Sequence, residues 1–409
     1  MTPLPSRTTV AILGAGQGGI ALARHLSTHE IPYVLLEKAR IAEAWRTQRW
    51  DNLVTNGPAW ASSYPDQPIA GVDPHSYLPK NTIADYLENY VAEQGLTVYE
   101  HTAANEVTRC GDGFLITTTR GEVQARYVVV ATGATQVPKM PLPPIAGVNN
   151  LHSVDYSNPA VLAPGAVVVV GGGTSAYQIA EELIAAGRKV FISVGTHSRV
   201  PRTYRGRDVV WWTGVLNHYE SVNIPAGGTP SILMSGAYGG RTLDYRNLEA
   251  TLVGRITGSN DGHLLFDDSL ADTIAHGDLY YRNFLTQIDD FIATRKLDLP
   301  EEPQAHDIGD LPGAGPSSIS VAEESIGTII WATGYRPDIS WLNMPELIDD
   351  RGRIAHRRGI TAIPGLLFLG LPRQMRVGSG FVWGAWYDAR VIADHIGHQE
   401  YLRSAYPQA

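Results

Sequence analysis

Apolar residues in this chain gather in short runs, with amphipathic stretches between them. Strand-like runs fall at Val10–Leu13, Tyr33–Glu37, Tyr127–Ala131, Val167–Val170, Lys189–Val194, Thr328–Trp331 and Leu366–Leu369. Helical spacing follows the first and fourth of them, over Gly18–His29 and Ser175–Ala186. Runs without polar alternation are strands covered on both faces, and their alternation with helices predicts parallel, doubly wound α/β sheets. A further stretch, "DLYYRNFLTQIDDFI" (Asp278–Ile292), carries the spacing of an amphipathic helix whose apolar face packs inward. Proline-rich "VPKMPLPPIAG" (Val137–Gly147) reads as an extended connector, and "DIGDLPGAGPSS" before Ile319 as a loop.

Both strand–helix junctions are glycine turns. Gly14, Gly16 and Gly19 spell G-x-G-x-x-G, and Gly171, Gly173 and Ala176 spell its G-x-G-x-x-A variant. The first position makes the tight turn, the second lets backbone approach a pyrophosphate, and the third lets helix pack on strand. The helix then offers its unpaired N–H groups to phosphate oxygens. Glu37 closes the strand after the first turn, where a carboxylate accepts ribose hydroxyls. At the same place after the second turn stand Ser193 and Val194, so no carboxylate repels a 2′-phosphate there. The following "GTHSRVPRTYRGRD" supplies Ser198 and Arg199, with Arg202, Arg205 and Arg207 behind them, and arginine pairs with phosphate bidentately. The expectation is FAD at the first turn and NADPH at the second. The expected architecture is α/β, with two Rossmann-like dinucleotide-binding domains, the second inserted into the first. Residues 1–163 and 322–409 would form the FAD-binding domain, and 164–321 the NADPH-binding domain with a substrate-region insert.

Composition narrows the chemistry. The chain has 409 residues, 44% hydrophobic and 18% charged, which is enough to bury a substantial core. A formal net charge of -9 disfavours nucleic acid and anionic membrane as partners. Cys110 is the only cysteine, which rules out an intramolecular disulfide, a redox-active cysteine pair and a cysteine-rich metal site. No apolar run approaches the ~20 residues of a membrane span, and "MTPLPSRTTVAILGAG" is expected to enter a strand directly, with no signal peptide. A cytoplasmic, reducing setting is expected, without a metal, and with a homodimer as the commonest oligomer. With the thiol route closed, electrons from the second dinucleotide have three outlets: oxygen, a small organic acceptor or a partner protein.

"RWDNLVTNGPAWASSYPDQPI" (Arg49–Ile69) resembles a segment of the flavin-containing monooxygenases, class B flavoprotein monooxygenases, with Trp50 and Asn56 at its aromatic and asparagine positions. "IAGVNNLHSVDY" resembles their F-x-G-x-x-x-H-x-x-x-Y/F fingerprint through Ile145, Gly147, His152 and Tyr156. Here isoleucine replaces phenylalanine, and one extra residue precedes His152. "ATG" at Ala131–Gly133 and "WATGY" at Trp331–Tyr335 match the family's two domain-crossing turns, and "AEAW" stands where Gly-Gly-x-Trp is common. The resemblance implies a monooxygenase that uses FAD, NADPH and O2 on a small molecule through an oxygenated flavin. Tyr156 takes the place of the tryptophan found in Baeyer–Villiger relatives, which leans the reading toward nitrogen, sulfur or aromatic-carbon oxygenation. Alternatives are Baeyer–Villiger chemistry, a reductase serving a quinone or partner protein, and a pyridine-nucleotide-sensing flavoprotein.

The resemblance implies catalytic roles for Asn56, against the oxygen-carrying edge of the flavin, and for His152, as acid–base or as a brace between domains. Around FAD the expected contacts are Gln17, Lys38, Trp45, Arg46, Val107, Thr132, Gly133 and Val382, beside Gly14, Gly16, Gly19 and Glu37. Around NADPH they are Thr174 and Ser175, beside Gly171, Gly173, Ala176, Ser198 and Arg199, with Thr333, Gly334 and Tyr335 at the second crossing. Trp211, Trp212 and Trp383 are candidates for the substrate cavity, although tryptophan more often fills a core.

Overall fold

The computed structural model describes residues 3–220, 231–350 and 352–406. A seven-stranded sheet holds β1 (Arg7–Leu13), β2 (Tyr33–Leu36), β3 (Val98–Tyr99), β4 (Ala104–Cys110), β5 (Gly113–Thr118) and β6 (Gly121–Val130) in the order β3-β2-β1-β6-β5-β4, with Leu366–Phe368 also on β6. β1, β2, β3 and Leu366–Phe368 run parallel to their neighbours, whereas β4, β5 and the first half of β6 form an antiparallel meander. Alternate residues of β1 feed the two faces, Val10 and Ile12 on one and Ala11 and Leu13 on the other. Helix α1 (Gln17–Thr28), α3 (Lys80–Glu93) and the C-terminal helix Val382–Ala405 cover the first face, and the short α2 (Glu43–Thr47) lies against α3.

The chain leaves this sheet through β7 (Val137–Pro138), which pairs antiparallel with Tyr335–Arg336 on the way back. Between the crossings lies a second, five-stranded parallel sheet. It contains β8 (Asn149–His152), β9 (Ala166–Val170) and β10 (Val190–Ser193), together with Thr251–Val253 and Ile326–Trp331, and α4 (Thr174–Ala185) packs on it.

The second sheet reaches beyond the expected boundaries of 163/164 and 321/322. β8 and Ile326–Trp331 belong to the second sheet, so the inserted domain starts and ends at the crossings. The run Thr328–Trp331 shows that a strand is buried on both faces but carries no information about which sheet adopts it. The meander β4–β5 was also not foreseen. Its signals were the period-two pattern in "ANEVTRCGDGFLITT" and the Gly-Asp-Gly turn at its centre. The stretch Asp278–Ile292 is helical as expected, within a longer helix, Leu270–Arg295.

Candidate functional site

The two glycine turns have the same construction. Gly14 adopts φ 111°, and a β-carbon on it would lie 2.7 Å from the Ala131 carbonyl oxygen; Gly171 adopts φ 149°, and its β-carbon would lie 2.5 Å from that of Ala332. Each turn therefore abuts the strand end from which one domain crossing departs. Among the described residues, no heavy atom beyond Gly16 and its two chain neighbours lies within 4 Å of the place where a Gly16 β-carbon would stand, so the second position of the first turn is open at the start of α1. At the second turn Ala176 is fully buried, its methyl 3.3 Å from the β-carbon position of Gly171.

Glu37 is buried beside the first turn, Oε2 accepting from the Ala15 N–H at 2.8 Å and Oε1 from Ala39 at 2.9 Å. Each oxygen keeps a further lone pair for a ribose hydroxyl. Gln17 donates through Nε2 to the Gly380 carbonyl at 2.9 Å, and its own carbonyl accepts from the Tyr64 hydroxyl at 2.6 Å. The starts of α1 and of the C-terminal helix are thus tied together, with Val382 buried between them. Gln136 braces the Thr132–Gly133 turn by donating to the Gly133 carbonyl at 2.9 Å and accepting from the Asp338 N–H at 2.7 Å. The fully buried Val107 side chain packs with Leu13, Val34 and Leu36 and builds core, leaving only its backbone for a ligand. Lys38 is exposed and Trp45 partly buried. The open second glycine position, the helix start and the anchored acid fit a dinucleotide with unphosphorylated riboses, as in FAD.

Arg46 does not fit that role. Its guanidinium is held by Asp85 at 3.0 Å and Glu88 at 2.6 Å on α3, which draws it toward helix carboxylates and away from a phosphate.

At the second turn, Gly173 begins α4 and Ser175 is partly buried, while the Thr174 hydroxyl bonds the carbonyls of Ile232 and Met234 at 3.0 and 3.1 Å. Ser193 is buried, donating to the Gly254 carbonyl at 3.0 Å, so the acid-free end of β10 stands as expected. The arginines do not stand free. Arg199 is 5% exposed, paired with Asp244 at 3.1 Å and Asp278 at 2.7 Å, and its guanidinium lies 4.1 Å from the Tyr281 ring centre. The Ser198 hydroxyl beside it is buried, without a partner among the described residues. Arg202 is paired with Asp208 and Arg205 with Asp289; Arg207 is exposed over Trp211. Counting positive charge along "GTHSRVPRTYRGRD" missed these acids because three of them lie far along the chain, on the segment after Met234 and on the helix Leu270–Arg295. Arg199 therefore pins a strand to that helix. Arg199→Ala is expected to cost about 1.5–3 kcal/mol in urea unfolding, with equal effects on NADPH and NADH. The cost stays moderate because Arg246 still bonds both acids, at 2.6 and 2.8 Å.

His152 is 2% exposed on β8. Its Nδ1 accepts from the Val154 N–H at 3.2 Å, which leaves the proton on Nε2 facing the Gly334 carbonyl at 3.1 Å. Burial lowers its pKa, opposed by the Gly334 carbonyl, so the ring stays neutral at pH 7. The Tyr335 ring stands edge-on at 4.9 Å. Both nitrogens are committed to backbone at the crossing, the geometry of a brace between domains. Thr333 likewise spends its hydroxyl on the Lys139 carbonyl.

Asn56 is exposed, and its side-chain amide has no hydrogen bond among the described residues. Its backbone carbonyl is gripped at 2.7 Å by Nη1 of Arg202, whose Nη2 bonds both oxygens of Asp208. Tyr77 completes the clamp, its hydroxyl 3.1 Å from Asp208 and its ring 5.0 Å from the guanidinium. A rigid main chain thus presents an unengaged amide.

Trp211, Trp212 and Trp383 come together in one aromatic cluster that joins the inserted domain to the start of the C-terminal helix. Trp212 is wholly buried, with its Nε1 donating to the Tyr204 carbonyl at 2.7 Å, and is core. Trp211 and Trp383 are partly buried; Trp383 stacks on Phe381 and meets Tyr219 edge-on at 5.1 Å. No group of acids, histidines and cysteine among the described residues is placed to hold a metal, and no helix there is long and apolar enough to cross a membrane.

Two dinucleotide cradles on one chain, joined by a two-stranded crossing, define a flavin- and pyridine-nucleotide-dependent oxidoreductase. Residues 11–205 match the family model described as pyridine nucleotide-disulphide oxidoreductase. Over 400 residues the chain is 32% identical to a CzcO-like uncharacterized oxidoreductase of Geobacillus kaustophilus, covering 95% of this chain and 97% of that one. It is 26% identical over 364 residues to the indole-3-pyruvate monooxygenase YUCCA1 of Oryza sativa, covering 86% and 82%. The solved flavin-containing monooxygenase of Stenotrophomonas maltophilia superposes with a TM-score of 0.67 at 19% identity, over 97% of this chain and 99% of that one. The chain belongs to the CzcO-like oxidoreductases and is similar to flavin monooxygenases, a family whose members use FAD and NADPH.

Proposed function

We propose that this chain is an NADPH-dependent monooxygenase that inserts one oxygen atom from O2 into a small organic substrate, at nitrogen, sulfur or an aromatic carbon. The observation that carries the reading is the unengaged Asn56 amide, on a backbone held by Arg202 of the inserted domain. FAD, when bound, takes electrons from NADPH and activates O2.

The chain's own residues bind, orient and exclude water. Main-chain N–H groups at the start of α1 receive the pyrophosphate, and Glu37 receives the ribose. Asn56 carries both a donor and an acceptor, so it can hold an oxygen at the reacting centre and pass a hydrogen bond onward. Trp383, Phe381 and Tyr219 wall the junction with apolar surface, which keeps water from competing with the substrate. His152 keeps its proton on Nε2, and through Gly334 it fixes the crossing.

The deciding experiment loads the protein with FAD and screens amines, sulfides and aromatic substrates for NADPH consumption that yields product heavier by one atom from labelled O2. Peroxide release that no substrate suppresses would establish a reductase, and failure of NADPH to bleach the flavin would establish a sensor. Asn56→Ala is expected to raise peroxide released per NADPH by roughly tenfold or more, the value of one charge-assisted hydrogen bond. Unchanged coupling would remove Asn56 from the reaction.

A further inference from the structure

The buried arginines Arg199 and Arg202, and the partly buried Arg376, are matched with acids. Arg199 has Asp244 and Asp278, Arg202 has Asp208, and Arg376 has Asp388 and Glu220. Arg49 and Arg373 depart from this, both partly buried without an ion pair among the described residues, and of the two it is Arg49 that stands beside the crossings. It is partly buried at the end of the α2 segment, and no ion pair is formed by it among the described residues. Its Nη1 donates to the neighbouring Gln48 carbonyl at 2.8 Å, and its guanidinium lies 5.8 Å from the Trp45 ring centre. Burial pulls its pKa below the ordinary arginine value, and the group that opposes this is the Tyr335 hydroxyl, not a carboxylate. The acid nearest in sequence, Asp51, is exposed and faces Lys80 at 3.7 Å. A desolvated cation without a counter-charge is costly, and proteins retain one where a ligand supplies the anion.

The position says which ligand. Gln48 bonds the Thr135 hydroxyl at 3.4 Å, just past the Thr132–Gly133 turn, and Tyr335 lies on the return crossing beside His152. Trp50, the next residue, packs in the core of the second sheet with Ala176 and Tyr177 of α4, the helix that starts at the second glycine turn. Arg49 thus stands where the two crossings and the two cradles meet.

We infer that Arg49 is the anion-binding residue of this junction and pairs with a phosphate of a bound dinucleotide. The inference rests on the two-dinucleotide reading above. Of the pair Arg46 and Arg49, which the sequence offers together for flavin phosphates, it assigns the task to Arg49 alone, and it places it there in preference to Arg199. The shared chemistry is a phosphate diester oxygen, from FAD or from the nicotinamide dinucleotide.

The test compares wild type with Arg49→Gln. Because the substitution removes an uncompensated charge, the variant apoprotein is expected to melt at or above the wild-type temperature. Affinity for one dinucleotide should fall about ten- to a hundredfold, the worth of a charged hydrogen bond. FAD titration of the apoprotein and NADP⁺ titration of the FAD-loaded protein show which of the two supplies the phosphate. A lower melting temperature or misfolding of the Arg49→Gln apoprotein overturns the inference, because the guanidinium would then serve the fold. Unchanged affinity for both dinucleotides overturns it equally. Should wild type bind neither dinucleotide, the functional reading fails by itself; inorganic pyrophosphate then decides Arg49, by raising the melting temperature of wild type and not of the variant.

Discussion

Gly19→Ala should yield a protein that purifies without FAD. A β-carbon at this position would sit 1.9 Å from the Gly14 carbonyl oxygen and 3.3 Å from the Leu35 side chain. The first obstacle is backbone, which cannot swing aside, so α1 has to lift off β1 and carry the phosphate-facing N–H groups with it. Overpacking costs about 1–3 kcal/mol where side chains can adjust, and this site sits at or beyond the upper end. The flavin absorbance of the purified variant, before and after incubation with FAD, reads the outcome. Stoichiometric yellow protein with a wild-type melting temperature would refute it. The second turn provides the contrast, since it already carries Ala176 at the matching position with room for the methyl.

Arg202→Ala should destabilise the inserted domain by about 3–5 kcal/mol, the usual cost of stripping one partner from a buried ion pair. Its side chain is 3% exposed and that of Asp208 15%, so the abandoned carboxylate keeps only the Val210 N–H at 2.7 Å and the Tyr77 hydroxyl at 3.1 Å. The same change frees the Asn56 carbonyl. Amide hydrogen exchange over residues 54–57 should quicken, and peroxide release should rise as it does for Asn56→Ala. Adding Asp208→Ala should recover part of the stability, because the orphaned charge leaves with it. Equal losses in the single and double variants, with exchange unchanged, would show that the clamp contributes little.

Much of this was legible in the sequence because it depends on local chemistry. The glycine turns, the acid after β2 and its absence after β10 are set by spacings of a few to about twenty residues, and sequence order preserves them. What sequence order does not preserve is partnership. Arg199 reads as a phosphate ligand until the fold brings in Asp244 and Asp278, and Arg46 until α3 brings in Asp85 and Glu88. Asn56 is proposed through its motif, yet Arg202, the residue that holds its backbone carbonyl, lies in the other domain and has no motif. The reach of the second sheet beyond residues 164–321 has the same origin: Thr328–Trp331 pairs with β8 and β9 at long range, and nothing within the strand names its neighbours.

The paired crossing strands also bear on how such a molecule is assembled. Val137 and Arg336 are hydrogen-bonding partners in adjacent antiparallel strands. The flavin lobe therefore meets the excursion as it would a hairpin tip, with its two cut ends side by side. A whole pyridine-nucleotide module can be spliced in or traded at that tip without altering the host's own strand order.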